Sequence, residues 1–318
     1  MQMFDFVGKK KYTMLLSGLI ILAGIIAMIV RGGLNLDVQF RGGTRIEIEM
    51  ENGDFDADKA GSVASDAIGK TIHGQKSSTL DANQDNKNVD FLVLTSSGKL
   101  SEEERDTVIE AIKGQFSIKE GGQMQVRDVD PSIGKELKNR GLLAVFVAAI
   151  MLLIYVWIRF NIMSGLLAGL TAVIALIHDI AVMVSVYAIF NIPVNESFIA
   201  AVLTILGYSI NDTIVIYDRI RENSRFSRKD TIDGLVNKSI TQSMSRTINT
   251  TVTTVLSVLT IFLFAVYNGI GSIQEFTFPI LIGLIAGTYS SIFIASPLWV
   301  ALRQREANKK AGAKPAKA

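Results

Sequence analysis

The chain has 318 residues, 49% of them hydrophobic and 19% charged, with a formal net charge of only +2. That balance excludes a disordered chain and a strongly basic nucleic-acid binder. With no cysteine and two histidines, there is no basis for disulfides, thiolate metal sites, a cysteine nucleophile or a histidine-rich metal centre.

The averages conceal a segregation: a polar stretch lies between one apolar run and a long apolar C-terminal half. Crossing the hydrocarbon core takes about 20 mostly apolar residues. Residues 12–30 are the first such run. They carry no small-residue cleavage pattern and are followed by Arg31-Gly32-Gly33, which predicts a retained anchor rather than a signal peptide. Residues 142–158, 166–190, 198–217, 247–267 and 276–302 complete six spans, the fifth unusually rich in threonine.

Residues 31–139 read as a water-soluble domain. Residues 45–50 alternate polar and apolar as a half-buried strand does. Residues 56–70 have a helical pattern, with Ala60, Val63, Ala64, Ala67 and Ile68 on one face. A weaker strand signal covers residues 71–80 and a stronger one 89–95. A second helix starts at Ser101, with Glu104 placed for a capping box and Val108, Ile109, Ile112 and Phe116 as its apolar face. Residues 123–129 form the last strand. The order βαββαβ is that of a ferredoxin-like α+β domain. His73 is expected in a loop as a surface residue. Gly32-Gly33 and Gly42-Gly43 lack the spacing of a phosphate loop and fit tight turns instead.

Orientation follows from lysine and arginine in the short connections. Lys9, Lys10 and Lys11 precede the first span. Arg159 follows the second, and Arg219, Arg221, Arg225, Arg228, Lys229 and Lys238 follow the fourth. Arg303, Arg305, Lys309, Lys310, Lys314 and Lys317 follow the sixth. The other short connections, 191–197 and 268–275, have neither residue. This alternation predicts both termini in the cytoplasm and the large domain outside. The domain plan is then a cytoplasmic segment 1–11, a first helix 12–30 and an extracytoplasmic domain 31–139. A five-helix membrane domain 140–302, with a cytoplasmic loop 218–245, and a basic tail 303–318 complete it.

Ionisable groups inside spans are costly and mark functional sites. Asp212 lies in the fourth span, where Thr204, Tyr208 and Asp212 recur every four residues on one face, beside Ser209 and Asn211. Arg246 opens the fifth span, in a stripe with Thr250, Thr253 and Ser257, flanked by Asn249. The two spans run in opposite directions, so Asp212 and Arg246 stand at similar depth, where they can pair or line a hydrated path. The bland alternatives are an Arg246 that reaches up to lipid headgroups and an Asp212 that is a neutral packing residue. His178-Asp179 sits mid-way through the third span, a candidate proton-carrying pair or a hydrogen-bonded packing element. Gly165, Gly169, Gly207, Gly283 and Gly287 suggest close helix packing, the last two at small-xxx-small spacing.

Several segments together resemble the SecF family, the smaller subunit of the SecD–SecF protein-export complex. They are Phe4-Asp5-Phe6-Val7-Gly8, Asp37-Val38-Gln39-Phe40-Arg41-Gly42-Gly43-Thr44, Asp130-Pro131-Ser132-Ile133-Gly134 and Ser245-Arg246-Thr247-Ile248-Asn249-Thr250. The longest covers 207–223, from Gly207-Tyr208-Ser209-Ile210-Asn211-Asp212-Thr213 to Asp218-Arg219-Ile220-Arg221-Glu222-Asn223. The resemblance implies a polytopic helical protein of the resistance-nodulation-division type in a bacterial or archaeal plasma membrane. It implies pairing with SecD, work beside SecYEG and often YajC, and an unfolded preprotein as substrate. The driving force it implies is the proton-motive force, or sodium in some lineages, with no other cofactor; ATP hydrolysis belongs to SecA. By motif, Asp212 matches the family's transmembrane aspartate and Arg246 its transmembrane arginine. The alternatives are a scaffold for SecD without ion coupling and half of a small-molecule exporter, for which the outer domain is small. An enzyme is disfavoured because no nucleophile–base set, metal cluster or nucleotide loop is present.

Overall fold

The computed structural model describes residues 5–81, 87–160, 165–226 and 231–312. Phe4, Arg228, Lys229, Lys314 and Lys317, used above, lie outside them. The first helix, α1 (Lys10–Val30), leads through the short α2 (Val38–Arg41) into β1 (Gly43–Glu49). Then come α3 (Ala57–Ile68), β2 (Ile72–Asp81), β3 (Lys87–Ser96), α4 (Glu102–Gln115) and β4 (Met124–Val129). The sheet order is β2-β3-β1-β4 with every neighbouring pair antiparallel, the ferredoxin-like arrangement. The alternation in β1 sends Ile46 and Ile48 to one face, where they join Leu92 and Leu94 of β3, Ala60 and Ala64 of α3, and Val108 and Ile112 of α4 in one core. Ser101 and Glu104 close the capping box reciprocally, at 3.2 and 3.0 Å. The weakly signalled strand is real. His73 is therefore not in a loop: it lies on β2 opposite Thr95, with its side chain exposed.

Among the described residues of this domain one acid is buried. The Glu49 carboxylate binds the Lys119 ammonium and accepts from the Gln123 N–H at 2.6 Å. Burial alone would push the carboxyl up, but Lys119 and Gln123 outweigh it and hold it below the usual carboxylate range.

The sheet domain joins the membrane helices at a tight corner. Gly42 and Gly43 have φ of +80° and +136°, and a Cβ on Gly42 would stand 2.6 Å from the Pro131 Cα. Pro131 opens α5 (Pro131–Arg159), whose first turn is capped by Asp130 accepting from the Ser132 N–H at 2.9 Å. The second span thus starts eleven residues before the apolar run does: Asp130 and Pro131 set the helix start, while hydropathy marks only its lipid-embedded part. The remaining helices are α6 (Gly165–Phe190), α7 (Glu196–Phe226), α8 (Ile232–Tyr267), α9 (Gly271–Ser290) and α10 (Ser296–Gly312). The expected cytoplasmic loop 218–245 is mostly helix, because α7 and α8 continue through the charged stretch. At about 1.5 Å per residue, α8 is about 54 Å long, well beyond an apolar core of about 30 Å. The sixth span is not one continuous α-helix: a π-helical turn, Ser291–Ala295, separates α9 from α10. Among the described residues six segments are long and apolar enough to cross a membrane, so the chain is a multi-pass membrane protein.

Two sets of contacts fix relative sidedness. The exit of α1 meets the α6–α7 connection: Asp37 N–H donates to Val194 O at 3.0 Å and Val194 N–H to Asn35 O at 2.8 Å. At the opposite end, Asn237 of α8 binds the N-terminal segment, its Oδ1 accepting from the Phe6 and Val7 N–H groups and its Nδ2 donating to Asp5. The sheet domain and residues 191–195 are on one side, and residues 5–7 and the start of α8 on the other.

Candidate functional site: a polar cluster among α6, α7, α8 and α9

α6, α7 and α9 form the buried centre of the bundle. Small residues let them approach. A Cβ on Gly283 would lie 2.4 Å from Ile205 Cγ1, and one on Gly287 would lie 2.8 Å from Ser209 Cβ. α9 thus lies directly against the polar turn of α7. Gly165 and Gly169 likewise seat α6 on α5, but Gly207 faces open space and makes no such contact.

Asp212 is 2% exposed. Its Oδ2 accepts from the Thr288 hydroxyl of α9 at 3.1 Å. Thr288 Oγ1 also pairs with Thr251 Oγ1 of α8 at 2.7 Å, which joins three helices through one acid and two hydroxyls. Ionised, this carboxyl needs donors or water; neutral, it needs only the one hydroxyl. Its charge is thereby tied to how α7, α8 and α9 pack.

One turn earlier on α7, Ser209 donates to Asp179 Oδ2 of α6 at 2.6 Å, and the other Asp179 oxygen meets His178 Nδ1 at 3.1 Å. Asp179 has no exposed surface. Below it, Thr213 pairs with Ser291 of the π turn at 2.8 Å, and Tyr217 with Thr171 at 2.7 Å and Ala295 O at 3.3 Å.

The other expected residues are placed differently. Arg246 lies on an exposed face of α8, within electrostatic range of Asp212 but without an ion pair to it. Asn249 and Thr253 are exposed beside it, and Thr250 is half-buried; both threonine hydroxyls bond back to their own helix. Thr204 is exposed and bonds to Ala200 O, so its four-residue spacing does not bring it to Asp212. Asn211 points outward. Tyr208 is half-buried, with a hydroxyl that has no partner among the described residues. Thr288, Thr251 and Ser291 were missed, although four consecutive hydroxyl residues, Thr288-Tyr289-Ser290-Ser291, interrupt the last apolar run. Among the described residues no cluster of three or more histidines and acids could hold a metal.

Comparison with known proteins gives consistent results. The family described as "Protein export membrane protein SecD/SecF, C-terminal" matches residues 109–305. A protein translocase subunit SecF of Alicyclobacillus acidocaldarius is 36% identical over 96% of this chain and 95% of its own length. A SecDF of Bacillus subtilis is 34% identical over 97% of this chain, which spans only 39% of that longer protein. The crystal structure of SecDF from Thermus thermophilus, a translocon-associated membrane protein, superposes with a TM-score of 0.76 at 30% identity. It too is matched over 95% of this chain and 39% of its own.

Proposed function

Since the chain belongs to the SecF family of protein-export membrane proteins, we propose that it uses the proton-motive force to promote late steps of preprotein translocation through SecYEG, as the SecF half of a SecD–SecF pair. Fused relatives carry such a partner in the same polypeptide, which supports SecD as the missing half. The basic residues near α1, α7, α8 and α10 support cytoplasmic termini and an outer sheet domain. The single observation that carries ion coupling is Asp212, an acid buried mid-way along a membrane helix whose described bonding is to a hydroxyl of a neighbouring helix.

In this mechanism Asp212 takes up a proton from one side and releases it to the other. Arg246 stabilises the charged form when α8 turns toward α7. One proton crossing about 100 mV supplies about 2.3 kcal/mol, enough to bias a packing equilibrium when a few move together. Repacking of α7 against α8 and α9 would be transmitted to the sheet domain through the corner at Gly42 and Pro131. The polar face of α8 (Arg246, Asn249, Thr253 and Ser257) cannot lie against lipid without cost; a SecD counterpart or water must cover it. The test is preprotein translocation into vesicles holding this chain, SecD and SecYEG. Asp212→Asn should assemble normally yet lose the stimulation that an imposed gradient gives. Full stimulation in that variant would leave the scaffold reading.

A further inference from the structure

The mechanism above leaves one buried ionisable pair unused. We propose that His178 and Asp179 form a second proton-holding site, coupled to Asp212 through the turn of α7 that carries both Ser209 and Asp212. The proposal rests on the reading of Asp212 as the coupling acid.

Three observations carry it. The first is that the pair is buried and bonded as a unit. Asp179 is fully enclosed and His178 is 9% exposed. Asp179 Oδ1 faces His178 Nδ1 at 3.1 Å, and Oδ2 accepts the short bond from Ser209 at 2.6 Å. The second is an open position: His178 Nε2 is buried and has no hydrogen-bond partner among the described residues. The nearby Tyr289, whose ring lies 6.0 Å from the imidazole, does not fill it, because its hydroxyl is engaged with Thr13 O and Ser17 of α1. With Nδ1–H donated to the carboxylate, Nε2 is a bare acceptor. A proton arriving there lets Nδ1–H pass to the carboxylate, so the pair goes from net −1 to net zero as neutral imidazole beside carboxylic acid, the form a low-dielectric interior favours, and the proton leaves by the same atom.

The third observation is the coupling. Ser209 and Asp212 are three residues apart on α7, hence on adjoining turns of one face. Their partners on α9 are consecutive: Gly287 packs on Ser209 and Thr288 donates to Asp212. A shift of α9 that alters the Asp212 bond therefore displaces the group that holds Asp179. Few other charges surround the pair. Asp212 comes from α7 and Tyr289 from α9. Arg246 of α8 lies beyond Asp212, on α1 and α5 charge is confined to regions near the helix ends, and on α10 it begins only at Arg303.

The test is infrared titration of the carboxyl carbonyl stretch in the reconstituted SecD–SecF complex, scanned from roughly pH 4 to roughly pH 10. Wild type should show two titrating buried carboxyl bands from this chain, one lost in Asp212→Asn and the other in Asp179→Asn. Each substitution should move the midpoint of the remaining band by about one pH unit, the level at which two sites titrate as a pair. Ser209→Ala keeps both acids and guards against misfolding of the Asp179 variant. In that background Asp212→Asn should no longer move the Asp179 band. An Asp179 band that never titrates, or that ignores Asp212→Asn, would overturn the proposal. A titrating, Asp212-sensitive band upholds it even if Asp212→Asn transports normally; in that case the reading of Asp212 as the carrier falls instead.

Discussion

Replacing Gly287 by alanine is the sharpest test of the packing that builds the site. The new Cβ would lie 2.8, 2.9 and 3.3 Å from Cβ, Oγ and Cα of Ser209, whereas ordinary contacts begin at 3.4 Å. Two of these atoms belong to the stiff root of the side chain, so α9 must move from α7 by about half an ångström, at an overpacking cost of about 1–3 kcal/mol. Alanine also gains about 0.8–1.0 kcal/mol of helix propensity over glycine. Gly207→Ala in α7 makes the same gain with nothing within 4 Å of the new atom, so the difference between the two variants isolates the packing cost. Gly207→Ala should be neutral or stabilising, and Gly287→Ala less stable than it by about 1–3 kcal/mol. Unfolding of the detergent-solubilised chain, followed through the buried Trp299, measures this. If Gly207→Ala proves as damaging as Gly287→Ala, the close approach of α9 to Ser209 is wrong.

Thr288→Val removes the hydroxyl donor to Asp212 at constant shape and should shift the pH at which ion flux is half-maximal; flux measured against pH checks it, and an unchanged profile contradicts the bond. Asn237→Ala leaves the Phe6 and Val7 amides without their acceptor and should cost about 1–3 kcal/mol, seen as faster hydrogen exchange at those two amides. Glu49 gives a signed pH dependence. Its folded carboxyl is held below the ordinary value, despite burial, by Lys119 and Gln123, so the stabilisation is complete above about pH 4.3 and lost as pH falls through the folded value. The stability advantage of wild type over Glu49→Gln should therefore vanish in acid, and an advantage that grows on acidification would contradict the sign.

The sheet domain was legible because its signals are local: the alternation at Ile46 and Ile48, the Ser101–Glu104 box and the turn glycines each act within a few residues. His73 was misplaced because β2 has few β-branched residues, and its pairing with β3 supplies the order that its own sequence does not. The spans were legible from hydropathy, but hydropathy reports lipid contact and not helix length, so α5 and α8 begin well before their apolar stretches. Asp212 and Ser209 stood out as polar residues on an apolar helix. Thr288 and Thr251 did not, since a threonine in a span most often bonds to its own helix, as Thr204 and Thr253 do here. Which hydroxyl turns toward an acid is decided by the glycine contacts between helices, and these are set by the whole bundle.

The central claim is that Asp212 couples ion movement to export, and ion flux tests it most directly. Vesicles carrying this chain with SecD and SecYEG would be given a proton gradient and a translocating preprotein, with wild type compared with Asp212→Asn. The account predicts flux that requires both the preprotein and Asp212. Equal flux in the two proteins, with either proton or sodium gradients, would contradict it.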